Sequence, residues 1–487
     1  MTKFLATALA AAAFFGCAIA SAQQQSAAVD LPQMGEPADA AMSPAQEIEL
    51  GSRVVAEFYA NDLVVEDPEV SDYVAGMGWK LAANSASGGK PPHFVFFIVA
   101  DPRINAFALP GGFVGVNAGL ITATRNESEL AGVLGHEEAH VTQRHIARSQ
   151  QEGEAGNIAT WAAILAAIIA GSANPDLIIA ALALGQASMY QRAVNYTRAH
   201  EIEADRIGIR TMATAGYDPD GMASFFSRLE QQSRLYGNRV PEILQTHPVN
   251  TTRVAEAKAR AGSYPNREHK DTIDYQLMQA RIRVITSEAR DAVDYFSGEI
   301  ANGRPTAANR YGLALAMTQQ GRYPEAMSAL EPVLDAYPRQ ANVSMLQAKL
   351  LIGQGQTDKA IALYSKMASM YPRYVPVLLD YASALIDAGH PADARQLLLS
   401  HDASSTSMEA NRLLAQAAHE LGNTAEEAFQ TANYRFERGD MIGAREQLDA
   451  ALRLSSISGQ DRARLRARRD EIWEQTPPEM RRGPRPT

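Results

Sequence analysis

The sequence predicts two architectures in series: an α+β domain, mostly helical with one small sheet, then an all-α solenoid of stacked helix pairs. Three observations carry this. Compact runs of strand-forming residues are confined to the stretch from His93 to Ile121. Helical patterns flank that stretch on both sides. From about Thr272 the chain is helical throughout and repeats itself. A chain of 487 residues has room for both parts, each with its own core.

The elements follow in order. Ser43 is placed as an N-cap with Pro44 at the first helical position, and Ile48, Val54-Val55 and Phe58-Tyr59 continue a helical pattern. A second helix is expected over residues 68–83. The period then changes. "HFVFFIVAD" is a compact apolar run, and "INAFALPGG" and "FVGVNAGLI" are two more extended pieces, broken at Gly111-Gly112. A helix begins near Glu127 and carries "LGHEEAHVTQRH". Beyond Arg148 come "WAAILAAIIA" and "LIIAALALG", separated by "GSANPD". Each is about half the length that a membrane-spanning helix needs, and Pro175-Asp176 break any single span. The plain reading of residues 158–185 is a buried helical hairpin; the functional alternative is an amphipathic lid making peripheral membrane contact.

The repeat is explicit. "GRYPEA" at Gly321, "GQTDKA" at Gly355 and "GHPADA" at Gly389 fall 34 residues apart, and "YP" recurs at Tyr337 and Tyr371 with the same spacing. "GDMIGA" at Gly439 gives the cue once more. This period is the tetratricopeptide signature, whose stacked helix pairs form a groove for protein segments. Residues 272–475 are assigned to it, with a looser match over residues 404–454.

The N-terminus reads as an export signal over residues 1–22. Lys3 supplies the positive charge, "FLATALAAAAFFG" is too short to span a bilayer, and Ala20-Ser21-Ala22 is a small-x-small cleavage site. Export to the periplasm follows, with a linker over residues 23–43. The only cysteine, Cys17, lies inside the signal, so the cut chain would have none, which suits an oxidising compartment. A lipoprotein anchored at Cys17 is the alternative, which Phe14 and Phe15 fit poorly. A net charge of −10 excludes nucleic acid as the main partner. Residues 476–487 read as a frayed basic tail.

The chemistry sits in "HEEAH". His136 and His140 are four apart, so on a helix they share a face about 5–6 Å apart and can direct two imidazoles at one ion. Glu137, one step round, can reach water at the metal and take its proton. This is the zinc hydrolase arrangement. A catalytic zinc takes three protein ligands, and "RAHEIEADRIGIR" offers the third. Glu201 and Asp205 share a helix face, so Glu201 can ligate and Asp205 can accept from the free N–H of a ligating histidine. Glu203, about 200° round the helix, is the weaker candidate. His145 falls off the ligand face and reads as surface; His200 is expected to point elsewhere, and His269 has no matching partner in sequence. Asn105, Ala106 and Phe107, in "NAFALP", are candidates for an exposed sheet edge that holds substrate by strand addition. His247, before Pro248, reads on its own as a turn residue.

"GHEEAHVTQRH", "HEIEADRIG", "THPVNTTR" and, upstream, "NAFALPGGFVGVNAGL" together resemble the M48 family of zinc metallopeptidases. The resemblance implies a zincin-like domain over residues 44–265 with one Zn2+ per chain. It makes His136, His140 and Glu201 the ligands, Glu137 the general base and Asp205 their supporting carboxylate. It also makes His247 either an extra ligand that quiets the enzyme or an oxyanion donor, and it aligns Arg253 with the arginine after the "THP" motif. M48 members with an export signal and such repeats act in outer-membrane protein assembly. Implied substrates are therefore unfolded or stalled outer-membrane proteins, with the barrel assembly machinery as partner through the repeats. One departure stands out: the first x of H-E-x-x-H, usually apolar in the family, is Glu138, and a buried carboxylate needs a partner. The alternative function is a chaperone or adaptor that binds unfolded barrel precursors through the repeats around a latent or structural zinc.

Overall fold

Ser43 starts the first helix, α1 (Pro44–Ala60), through a capping box: its hydroxyl accepts from the Gln46 N–H, and the Gln46 side chain accepts from the Ser43 N–H. The computed structural model describes residues 42–85, 93–151, 198–236, 241–265, 269–403, 407–476 and 481. Residues 1–22, read above as an export signal, most of the linker, residues 158–185, read as a hairpin, and most of the basic tail lie outside the described residues. The apolar stripe of α1, Leu50, Val54, Val55 and Phe58, packs with Met42 against Phe97, Leu109 and Phe113. Asp67 caps α2 (Pro68–Ala82), accepting from the Val70 N–H.

The sheet expected from the three extended runs is formed by β1 (Val95–Val99), β2 (Ala106–Leu109) and β3 (Phe113–Asn117), in the order β1-β3-β2. β1 and β3 are parallel; β2 and β3 are antiparallel. Gly111 and Gly112 turn the chain between β2 and β3 with φ of 79° and 89°, and a Cβ on Gly112 would strike the His93 carbonyl oxygen. The outer edge of β1 is covered by the bridge between Val64 and Val99. Among the described residues, no strand covers the outer edge of β2.

After α3 (Ala118–Ala123) comes α4 (Glu127–Thr142), the centre of the domain: every residue from Glu127 to His140 is buried. Burying an acid without a partner is costly, and Glu129 is paired with Arg228. Around α4 lie α5 (His145–Gln151), α6 (Arg198–Thr214), α7 (Asp220–Tyr236), α8 (Glu242–Thr246) and α9 (Thr251–Ala261).

From α10 (Ile273–Ile285), capped by Thr272, helices follow one another to Gly459–Gln475. Gly321, Gly355 and Gly389 sit between paired helices with φ of 71°, 75° and 81°, which explains the repeated glycine. Gly422 continues the series, whereas Gly439 lies between Thr424–Glu437 and Met441–Leu452, in the connection to the following helix. That change of phase is why the last repeats match loosely in sequence. The contacts between the solenoid and the first domain include two arginine anchors. Arg281 of α10 binds Asp67 and Glu69 at the start of α2. Arg438 binds Glu66 and donates to the Tyr59 carbonyl. Among the described residues, no helix is long and apolar enough to cross a membrane.

Candidate metal centre

Helices α4 and α6 cross where Gly135 faces Gly208: a Cβ on Gly208 would lie 3.0 Å from the backbone of Gly135 and His136. This close approach brings the acids of α6 to the histidines of α4. His136 and His140, one turn apart, place their Nε2 atoms 3.0 Å from each other. Glu201 reaches both, with Oε2 3.5 Å from His136 Nε2 and Oε1 3.4 Å from His140 Nε2. His247, just after α8, brings Nδ1 to 2.9 Å from Glu201 Oε1 and 3.3 Å from His136 Nε2. One ligand atom from each of these four buried residues lies within 4.8 Å of every other.

The donor set fits a metal. Three imidazole nitrogens and one carboxylate oxygen converge on one point, the chemistry of a tetrahedral zinc site. Burial works against charge on His136, yet Asp205 and Glu201 push it up to about 10. Burial and the neighbouring His136 push His140 down to about 3, against the pull of Glu201. Burial disfavours the Glu201 carboxylate as well, but His247, His136 and His140 hold it well below the usual range. Both Glu137 oxygens are buried without a hydrogen bond among the described residues; His247 Nε2 lies 3.5 Å from Oε1.

The supporting groups are equally specific. Asp205 Oδ1 lies 2.9 Å from His136 Nδ1, on the ring edge away from the cluster. Arg253 of α9 donates to both Asp205 oxygens, places Nη1 2.7 Å from Glu201 Oε2, and lies over the Phe226 ring. Burial raises the Asp205 carboxyl, but His136 and Arg253 together lower it.

Several expectations need correction. His145, read as surface, is fully buried, with Nδ1 2.8 Å from His140 Nδ1. The helix does not continue to it. Gln143 caps α4, Arg144 takes the left-handed conformation at φ 51°, and the chain folds back under His140. His200 stays outside the ligand cluster: it is buried and stacks on His145 with ring centres 4.4 Å apart. Glu203 is outside the cluster and instead lies 3.1 Å from His145 Nε2. His269 has a partner, Glu127. Glu138 faces the interior with neither oxygen hydrogen-bonded among the described residues. The position of Arg144 is the signal that sequence reasoning lacked, because left-handed conformations are not legible at a non-glycine residue.

Of the strand candidates, Ala106 and Phe107 lie in β2, which runs beside α4. Asn105 precedes it and accepts from the Asn117 N–H. The Phe107 ring turns inward against Phe58 and Phe97.

Both parts of the chain are similar to known proteins. Residues 68–261 match peptidase family M48. Residues 277–341, 311–375 and 351–417 match tetratricopeptide repeats. The chain is 32% identical over 450 residues to the "Beta-barrel assembly-enhancing protease" of Escherichia coli (strain K12), covering 91% of each protein. It is 32% identical over 453 residues to a "Putative beta-barrel assembly-enhancing protease" of Vibrio cholerae, covering 92% of this chain and 93% of that one. A shorter stretch of 151 residues is 36% identical to "Mitochondrial metalloendopeptidase OMA1" of Arabidopsis thaliana, covering 31% of this chain and 28% of the relative.

Proposed function

The chain belongs to peptidase family M48 and is a metallopeptidase; from that premise we propose that its metal is zinc, one ion per chain, held by His136, His140 and Glu201. The observation that carries this is the convergence of four donor atoms within 4.8 Å, beside a Glu137 carboxylate that has no hydrogen bond among the described residues. When bound, the ion supplies a Lewis acid that makes water nucleophilic near neutral pH and polarises a carbonyl. Glu137 takes the proton of the attacking water and returns it to the departing amine. Asp205 holds the N–H of His136 away from the ion, so that Nε2 keeps its lone pair. His247 supplies the fourth donor through Nδ1, which favours the quieting role over oxyanion binding: the position it takes is the one that water and substrate need. The edge of β2 at Ala106 and Phe107, uncovered by any strand among the described residues, with Asn105 before it, accepts an extended substrate as an added strand.

The substrate class follows from the company the site keeps. The relatives named for barrel assembly cover nearly the whole chain, repeats included. The reading is therefore a periplasmic endopeptidase for misfolded or stalled outer-membrane proteins. The tetratricopeptide repeats recruit the substrate or the barrel assembly machinery. A chaperone with a latent zinc is the second reading, favoured by His247 lying among the ligands.

The test is cleavage of an unfolded outer-membrane protein by the mature chain, with and without chelator. Chelator-sensitive cutting that rises in His247→Ala and vanishes in Glu137→Gln, with zinc retained, is expected. No cutting by parent or His247→Ala despite a full equivalent of zinc would favour the chaperone reading.

A further inference from the structure

His136 and His140 are both candidate ligands, and each needs its second ring nitrogen fixed. For His136 the fixing group is a carboxylate, Asp205, at 2.9 Å. For His140 it is another imidazole: His140 Nδ1 lies 2.8 Å from His145 Nδ1. His145 Nε2 in turn lies 3.1 Å from Glu203 Oε2, and Arg148 donates to that same oxygen at 3.0 Å.

We propose that Glu203 and His145 are positioning residues that act in series to set the tautomer of His140 and aim its bare Nε2 at the metal. This rests on the zinc reading of the site. The order of protons follows from the two ends of the chain. Glu203, paired with Arg148, is an acceptor only. The proton between it and His145 therefore sits on His145 Nε2. A neutral His145 then presents a lone pair at Nδ1. The short contact to His140 is a hydrogen bond only if His140 carries its proton on Nδ1. His140 Nε2 is left as a lone pair, 3.0 Å from His136 Nε2 and facing the ligand cluster.

Three features show that His145 is held for this purpose. Its ring is fully buried and stacks on His200 with an interplanar angle of 16°. It reaches His140 only because Arg144, a non-glycine residue, takes a left-handed backbone, an outlier that persists where its surroundings enforce it. Arg144 is itself tied down, donating to the Met42 carbonyl at 2.8 Å and pairing with Glu47 at 3.2 Å. Carboxylate–histidine partners of this kind raise metal affinity by about 10–100-fold. Here the carboxylate acts one imidazole further out, from a partly exposed position on α6.

The test uses the full mature chain labelled with 15N-histidine. Long-range 1H–15N spectra of the metal-free protein read each tautomer, and competition with a chelator of known affinity reads the zinc Kd. The parent should show His140 protonated on Nδ1 and His145 on Nε2. Glu203→Gln, which can donate to His145 and reverse the chain, should shift His140 toward Nε2–H and weaken zinc about 10–100-fold. His145→Phe, which keeps a ring but no acceptor, should weaken zinc similarly, and His145→Asn, which keeps an acceptor near the Nδ1 position, should recover most of the loss. The double variant Glu203→Gln/His145→Phe should be no weaker than His145→Phe alone. An unchanged His140 tautomer and an unchanged zinc Kd in Glu203→Gln would overturn the proposal. Should His145→Phe fail to fold, Glu203→Gln decides alone, because its side chain lies near the surface. A parent that binds no zinc would sink the zinc reading, while the metal-free spectra would still decide the order of protons.

Discussion

Arg253 grips Asp205 with two parallel bonds, Nε to Oδ2 and Nη2 to Oδ1, both 2.8 Å. Its remaining nitrogen, Nη1, is 2.7 Å from Glu201 Oε2. One buried guanidinium thus binds both acids that α6 brings to the histidines. Removing it leaves two buried carboxylates without the cation they share. Arg253→Met is expected to lower stability by about 3–5 kcal/mol, as for other broken buried pairs. Arg253→Lys keeps the charge but loses the fork, and should recover only part of this. Urea unfolding of the metal-free proteins checks both; equal stability of Arg253→Met and parent would contradict the argument.

Glu138 has the opposite character. It is buried, desolvation raises its carboxyl well above the usual range, and neither oxygen is hydrogen-bonded among the described residues. An unsatisfied buried polar group costs about 1–3 kcal/mol. Glu138→Met, close in length and apolar, should raise stability by about that amount while zinc content stays the same. A drop in the thermal midpoint would show that the carboxyl has a role that the geometry does not reveal.

Particular residues show what the sequence made legible. His136, Glu137 and His140 declare themselves because helical spacing alone puts them together. Gly321, Gly355 and Gly389 declare the repeats because each needs the same left-handed turn. The sheet was legible as three runs, but not the crossover that leaves β2 outermost. His145 was misread for a definite reason: the helical phase was carried past Thr142, where the chain in fact turns at Arg144. Burial of Glu127, Glu129 and Glu138 was hidden because α4 has no exposed face, and a string of acids suggests one. The seam between α2 and the repeats leaves no local trace, since Asp67 and Arg281 are far apart in the chain.

Glu127 gives a dependence on pH with a definite sign. It accepts from Tyr73 Oη at 2.8 Å, from the Thr272 hydroxyl at 3.0 Å and from the Thr272 N–H at 3.1 Å, and it lies 2.9 Å from His269 Nε2. Burial would raise its carboxyl, but these bonds outweigh burial and lower it. A group lowered in the folded state adds stability above its unfolded value, about 4.3, and loses it as pH falls through the folded value. Glu127→Gln should therefore cost about 1–3 kcal/mol at pH 7, and the gap to parent should close as pH drops below about 4. A gap that stays constant from pH 7 to pH 3 would show that the carboxylate's charge is not what matters.

Arg281 joins the two parts of the chain. It donates to Asp67 through Nε and Nη2, each at 2.8 Å, and its Nη1 lies 2.9 Å from both the Tyr311 hydroxyl and Glu69 Oε1. Asn342, further along the solenoid, donates to Glu69 Oε2 at 2.7 Å. Asp67, the cap of α2, and Glu69 thus share one cation supplied from the repeats, and both lose it if the repeats come away. Arg281→Met should cost about 3–5 kcal/mol and split unfolding into two steps by separating the domains. Adding Asp67→Asn and Glu69→Gln removes the stranded charges while keeping the α2 cap, so the triple variant should regain stability over Arg281→Met. The two kinds of coupling then part company: if the triple variant regains stability yet still unfolds in two steps, the ion pairs hold the domains together; if it unfolds in one, the apolar contacts of α10 with α2 are enough.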